Sequence, residues 1–143
     1  MPRTAINHIL TVLLLAFLAL PASAQEVNAL KGSFFCKETN VSLHIDSEEE
    51  SVAVPGYSFL GNTHGYLSGR GVYGMWIITK VENAKGRLRI RMSNDTGADA
   101  QTVDLRTEGD SILTYKAIGT NNVKKAVGRK LVKITDTMTF RRQ

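Results

Sequence analysis

Three arginines at alternate positions, Arg87, Arg89 and Arg91, form the most regular charged pattern in the chain. At that spacing the guanidinium groups share one face of a strand and can grip a carboxylate or phosphate through two parallel hydrogen bonds. Leu88, Ile90 and Met92 occupy the opposite face. If those aliphatics point inward, the arginines face solvent, where long cationic side chains also discourage edge-to-edge strand pairing. Lys124, Lys125, Arg129, Lys130, Arg141 and Arg142 make a second basic group with the same two readings, anion contact or soluble surface.

Other reactive residue types are sparse. His44 and His64 follow no ligand spacing, Cys36 has no CxxC partner, and Glu48-Glu49-Glu50 lacks the spaced oxygens of a calcium loop. We therefore expect no metal and no cofactor. Cys36 follows Phe34-Phe35 and is expected to be a buried, inert thiol; with a single cysteine no intrachain disulfide can form. No G-x-S-x-G is present, and the glycines of Ser68-Gly69-Arg70-Gly71 precede a predicted strand rather than a helix N-terminus. The pattern predicts a protein that is not an enzyme.

Binding chemistry is better represented. Residues 56–81 hold three of the 4 tyrosines, half of the 12 glycines and the one tryptophan. Tyr57, Phe59, Tyr66, Tyr73 and Trp76 can line a ligand mouth, or equally plug the core of a small barrel. On the first alternative they would surround an internal cavity of roughly a few hundred Å³.

The elements that must position these residues read as short strands. Residues 41–46 alternate Val41, Leu43 and Ile45 against Ser42, His44 and Asp46, and 87–92 alternate still more cleanly. Further strands are predicted at 32–38, 52–54, 72–81, 102–108, 111–118, within 126–135 and at 138–142. Residues 46–50, 83–86, 93–101, 109–110 and 119–125 are expected turns and loops. We expect residues 56–71 to be a glycine-rich connection and 72–81 to be the most buried strand. The sum is an all-β chain: a small antiparallel up-and-down β-barrel of about eight strands, with a sandwich as the other solution. Closure favours the barrel because it removes exposed edges.

Residues 1–24 are expected to be a cleaved signal peptide. Arg3 precedes an apolar run from 9 to 20, and Ala22-Ser23-Ala24 supplies a small-residue cleavage site. That run is shorter than the roughly 20 residues a spanning helix needs. We therefore expect 25–143 to be a single β-barrel domain, periodic in strands, not membrane-spanning, and periplasmic or secreted. The formal charge of +5, reduced by one when Arg3 leaves with the leader, suits weak contact with an anionic membrane surface and falls short of a nucleic-acid signature.

Leu30-Lys31-Gly32-Ser33-Phe34 resembles the L-x-G-x-W opening of small lipocalin-like barrels, with Phe34 in place of tryptophan. The closing Phe140-Arg141 is similar to the terminal strand of those barrels, whose basic residue packs over the opening aromatic. The resemblance implies a closed antiparallel barrel, often holding an apolar ligand. The functional expectation is thus an exported, non-catalytic barrel binding an apolar or amphipathic small molecule through Tyr57, Phe59, Tyr66, Tyr73 and Trp76, with Arg87, Arg89 and Arg91 as an anion contact. The alternatives are a periplasmic protein-binding module, of inhibitor or immunity type, using the glycine-rich loop, and an envelope structural or stress protein without ligand.

Overall fold

Alternation of apolar and polar residues along eight strands is resolved as a closed antiparallel barrel in the computed structural model, which describes residues 29–143. The expected leader, 1–24, lies outside the described residues. In chain order the strands are β1 (Lys31–Cys36), β2 (Val41–Asp46), β3 (Val52–Ala53), β4 (Asn62–Thr63), β5 (Gly65–Gly69), β6 (Trp76–Ala84), β7 (Arg87–Asn94), β8 (Ala100–Glu108), β9 (Ile112–Ala117), β10 (Lys124–Val127), β11 (Lys130–Lys133) and β12 (Thr137–Arg142). The barrel runs β1-β2-β5-β6-β7-β8-β9-β12 and closes β12 onto β1. Two small hairpins, β3-β4 and β10-β11, are inserted into this meander.

Every barrel strand sends one face inward. Phe34, Leu43, Leu67, Trp76, Ile90, Leu105, Tyr115 and Phe140 meet there as part of one continuous core. Leu88, Ile90 and Met92 are buried, so the arginines between them stand on the outer wall. Cys36 is a buried free thiol, as its place after two phenylalanines suggested.

One end of the barrel carries β1's start, the 47–64 connection and the C-terminal end of β12. At that end the Arg142 guanidinium lies over the Phe34 ring, 4.7 Å from its centroid. The packing cation is therefore Arg142 rather than Arg141, because Arg142 shares the inward parity of Met138 and Phe140. A side chain at position 32 would collide with that guanidinium, and Gly32 also has φ of 147°, a conformation that favours glycine.

The other end is plugged by residues 119–123. Asn121 is fully buried: its amide donates to the Thr135 carbonyl, its Oδ1 accepts from the Tyr115 hydroxyl and Val123 N–H, and its own N–H donates to Asp136. Gln101 accepts from Asn122 N–H and donates to the Thr102 and Ile118 carbonyls.

The glycine-rich stretch differs from expectation. Residues 65–69 form barrel strand β5, since the missing Cβ of Gly65 lets it approach the His44 carbonyl of β2. The following strand starts at Trp76 rather than 72, and only Trp76 and Ile78 of β6 are buried, so it is not the most buried strand.

Candidate functional site

A groove of about 530 Å³ opens on the outside of the barrel, not in its lumen. Its floor is the start of β6 and the end of β7, where Ile77 and Ser93 are cross-strand partners. A bulge between Ile78 and Lys80 breaks the pairing there, leaving Thr79 to donate its hydroxyl to the Arg91 carbonyl. Bulges bend a strand and re-aim its side chains, which suits a recess at this point. The overhang is the 47–64 connection, in which a 3-10 turn at Ser58–Leu60 brings Phe59 and Leu60 to the rim.

The connection is held at its start and again midway along. Near β2, the Asp46 carboxylate accepts the N–H groups of Glu48 and Glu49 and the Ser51 hydroxyl. The Ser51 bond, with those N–H groups and Lys31, keeps the Asp46 carboxyl below the usual carboxylate range. The predicted acidic turn is thus a capped turn built on Asp46. Midway along it Tyr57 donates its phenol to Asp95 in the β7-β8 turn, and that carboxylate raises the phenol above its ordinary value. Asn94 stiffens the same turn by accepting from the Thr96 hydroxyl and the Asp99 N–H.

The groove is apolar along Phe59, Leu60 and Ile77 and polar at Asn62, Thr63, Ser93 and Thr96, with Glu50 and Asp95 as its charged residues. A negative rim disfavours an anionic guest and suits one that donates hydrogen bonds.

The predicted site residues are dispersed over the molecule. Tyr57 and Phe59 line the groove together, their rings 5.9 Å apart. Trp76 points into the core at 1% exposure, donating its indole N–H to the Tyr73 carbonyl. Tyr73 is exposed beside β10. Tyr66 lies on the outer wall, stacked 4.6 Å from His44. The five aromatics therefore do not surround one internal cavity.

The arginines have partners on the wall itself. Arg89 makes two hydrogen bonds to Asp104, of 2.7 and 3.1 Å, and Arg87 Nε lies 3.4 Å from the same carboxylate. Asp104 is held below the usual carboxylate range, first by Arg89. Arg91 borders a recess of about 130 Å³ with Lys80, Glu82 and Thr102.

Two relationships were not legible locally. Leu60, Ile77, Ser93 and Asp95 meet only because the 47–64 connection folds back over the wall. Ser33 and His44 face each other across β1 and β2, with Oγ 2.8 Å from Nδ1. Burial lowers the His44 pKa, and the contacts around the ring are Ser33 and the Tyr66 ring rather than an orienting carboxylate. Its partner could have been found from strand parity once β1 and β2 were paired. Among the described residues no cluster of three or more His, Cys, Asp or Glu is placed to hold a metal ion. Among them, too, no helix is long and apolar enough to cross a membrane.

Fold and groove define a closed eight-stranded antiparallel barrel with a packed interior and an external recess. Set against protein-family models, curated proteins and solved structures, the chain matches none.

Proposed function

We propose that this barrel is a non-catalytic binding protein for an amphipathic small molecule, held in the external groove rather than the lumen. The groove itself carries the reading: about 530 Å³ of space, an apolar strip of Phe59, Leu60 and Ile77, and polar groups along one side. Glu50 and Asp95 favour a guest whose polar end is an ammonium or a neutral hydroxyl or amide over a carboxylate. The resemblance to lipocalin-like barrels, carried by the opening Gly32 and Phe34 and the closing cation Arg142, supports a binding role. The leader pattern at 1–24 supports a periplasmic or secreted location.

Calorimetric titration with dodecylamine, and with laurate as its anionic counterpart, tests this. Dodecylamine should bind and laurate should bind more weakly. Ile77→Lys and Phe59→Ser should each weaken the amine at least tenfold without altering the far-ultraviolet spectrum. Absence of binding by both probes, or unchanged binding in both variants, would remove the groove as the site.

One observation favours a second reading. Phe59 is 81% exposed at the tip of the 3-10 turn, beside exposed Leu60, and an exposed aromatic on a loop braced by Asp46 and Asp95 also suits docking into a protein partner. In that case Phe59→Ser abolishes pull-down of the partner while Ile77→Lys leaves it intact.

A further inference from the structure

The hairpin β10-β11 is built unlike the rest of the molecule. Residues 124–133 contain Lys124, Lys125, Arg129, Lys130 and Lys133 and no acidic residue. Between them stand Val127, Leu131 and Val132, exposed at 59%, 47% and 48%. Burial does not account for these aliphatics, because no side chain of the hairpin is buried. Register places Val132 opposite Lys125 and Lys130 opposite Val127 on one face, and Lys124 opposite Lys133 and Leu131 opposite Ala126 on the other, so each face of the ribbon mixes aliphatic and cationic side chains.

An isolated two-stranded ribbon is marginal in water, yet this one is fastened at its root. Tyr73 N–H donates to the Lys124 carbonyl and Ala126 N–H to the Gly71 carbonyl, each at 2.8 Å, so residues 71–73 act as a third strand beside β10. The Lys125 ammonium donates to the Thr39 carbonyl, and Ile134 N–H donates to the Val123 carbonyl. The exposed side chains of Tyr73 and Ile118 lie on segments joined to the same end of the barrel. Of the acidic residues at that end, Glu38 accepts from Cys36 and Asp95 from Tyr57, Asp99 lies between β7 and β8, and Asp136, on the link from β11 to β12, accepts from Asn121.

We propose that this hairpin docks the barrel onto the surface of an anionic phospholipid bilayer. Lysine stems bury along the acyl boundary while their ammonium groups stay at headgroup level, which accommodates alternating lysine and aliphatic side chains on both faces. Exposed aliphatics gain from entering the interface, and they would gain nothing on a hydrated polyanion. The cations supply attraction to acidic headgroups, about fivefold in affinity for each residue at the surface. The groove lies on β6 and β7, so failure of its ligand binding leaves bilayer docking separately measurable.

Flotation tests this, using the protein as isolated from its cells. Vesicles of phosphatidylcholine containing phosphatidylglycerol should carry the protein upward, vesicles of phosphatidylcholine alone should carry much less, and added salt should weaken the association. The double variant Lys130→Glu, Lys133→Glu should lose at least tenfold in affinity. Val127→Ser with Leu131→Ser should weaken binding severalfold while keeping the charge, and both should melt near the wild-type temperature since no core is touched. Equal binding to neutral vesicles would overturn the proposal, as would wild-type binding by both double variants. So would a Val127→Ser, Leu131→Ser variant that floats unchanged while dextran sulfate competes fully, because the hairpin would then be a general polyanion site.

Discussion

The Arg142 guanidinium closes the barrel over Phe34, its direct neighbour across the β1-β12 seam. The same group donates to the Lys31 and Asp110 carbonyls at 2.8 and 2.7 Å, so a single side chain ties together the first strand, the last strand and the β8-β9 turn. Arg142→Ala should cost about 2 kcal/mol through the lost cation-π contact and charge-assisted bonds. At this domain size that corresponds to a fall of roughly 8 °C in melting temperature. Arg142→Lys should recover only part of it, since an ammonium cannot span both carbonyls in a planar fork.

Gly32→Ala should destabilise comparably, and removing the obstructing side chain should not cure it. The double variant Gly32→Ala, Arg142→Ala keeps the strain of a side chain at φ of 147°. Its thermal midpoint should stay below that of Arg142→Ala alone; a midpoint at or above that value would mean that space rather than backbone conformation selects glycine here.

Asn121 is expected to be the most sensitive polar position. Truncation to alanine strands the Tyr115 hydroxyl, which burial already pushes well above the ordinary phenol value. It also strands the Thr135 carbonyl and Val123 N–H, and a loss of about 3 kcal/mol in urea denaturation is expected. Tyr115→Phe, which removes only one member of the network, should lose about 1 kcal/mol.

Acid should weaken the fold in two stages. The folded His44 pKa is depressed by burial, so its contribution is present above the ordinary imidazole value of about 6.5 and declines as pH falls through it. Asp46 and Asp104 are also depressed, by Ser51 and Arg89 first, and their contributions persist to lower pH. These are lost only below the ordinary aspartate value of about 3.9. Denaturation midpoints recorded from about pH 7 downward should show a shallow first step that His44→Gln removes. Asp104→Asn should flatten the later, steeper one.

Tyr57→Phe should leave the barrel intact while loosening the overhang of the groove. Loss of the bond to Asp95 frees the 57–60 turn, so amide exchange should accelerate at Leu60 and Gly61, whose N–H groups bond Tyr57 and Ser58 carbonyls. Exchange in β7 and β8 should not change.

Much of the architecture was legible because strand alternation is a local property. Residues 41–46 and 87–92 announce their inward faces without help from the rest of the chain, and closure follows from the need to satisfy edges. Strand β5 was illegible for the opposite reason: Gly65 and Gly69 look like turn punctuation, while their role is to admit the β2 backbone at contact distance. The groove was half legible. Tyr57 and Phe59 could be picked as loop aromatics, whereas Asp95 stands 38 residues from Tyr57 and meets it only through tertiary folding. Trp76 shows the limit of choosing by residue type, since a single step of strand parity separates the core from the groove floor at Ile77.

The seam between β1 and β12 also governs the order in which the chain can fold. Lys31 and Arg142 are joined across 111 residues, so the first strand keeps one unpaired edge until the last one is available. Contacts this remote in sequence form late and slow the approach to the native state. During synthesis the growing meander is consequently an open sheet with two reactive edges, and the six residues of β12 convert it at a stroke into a closed barrel sheet with neither. A chain truncated before Thr137 should aggregate rather than persist as a seven-stranded sheet.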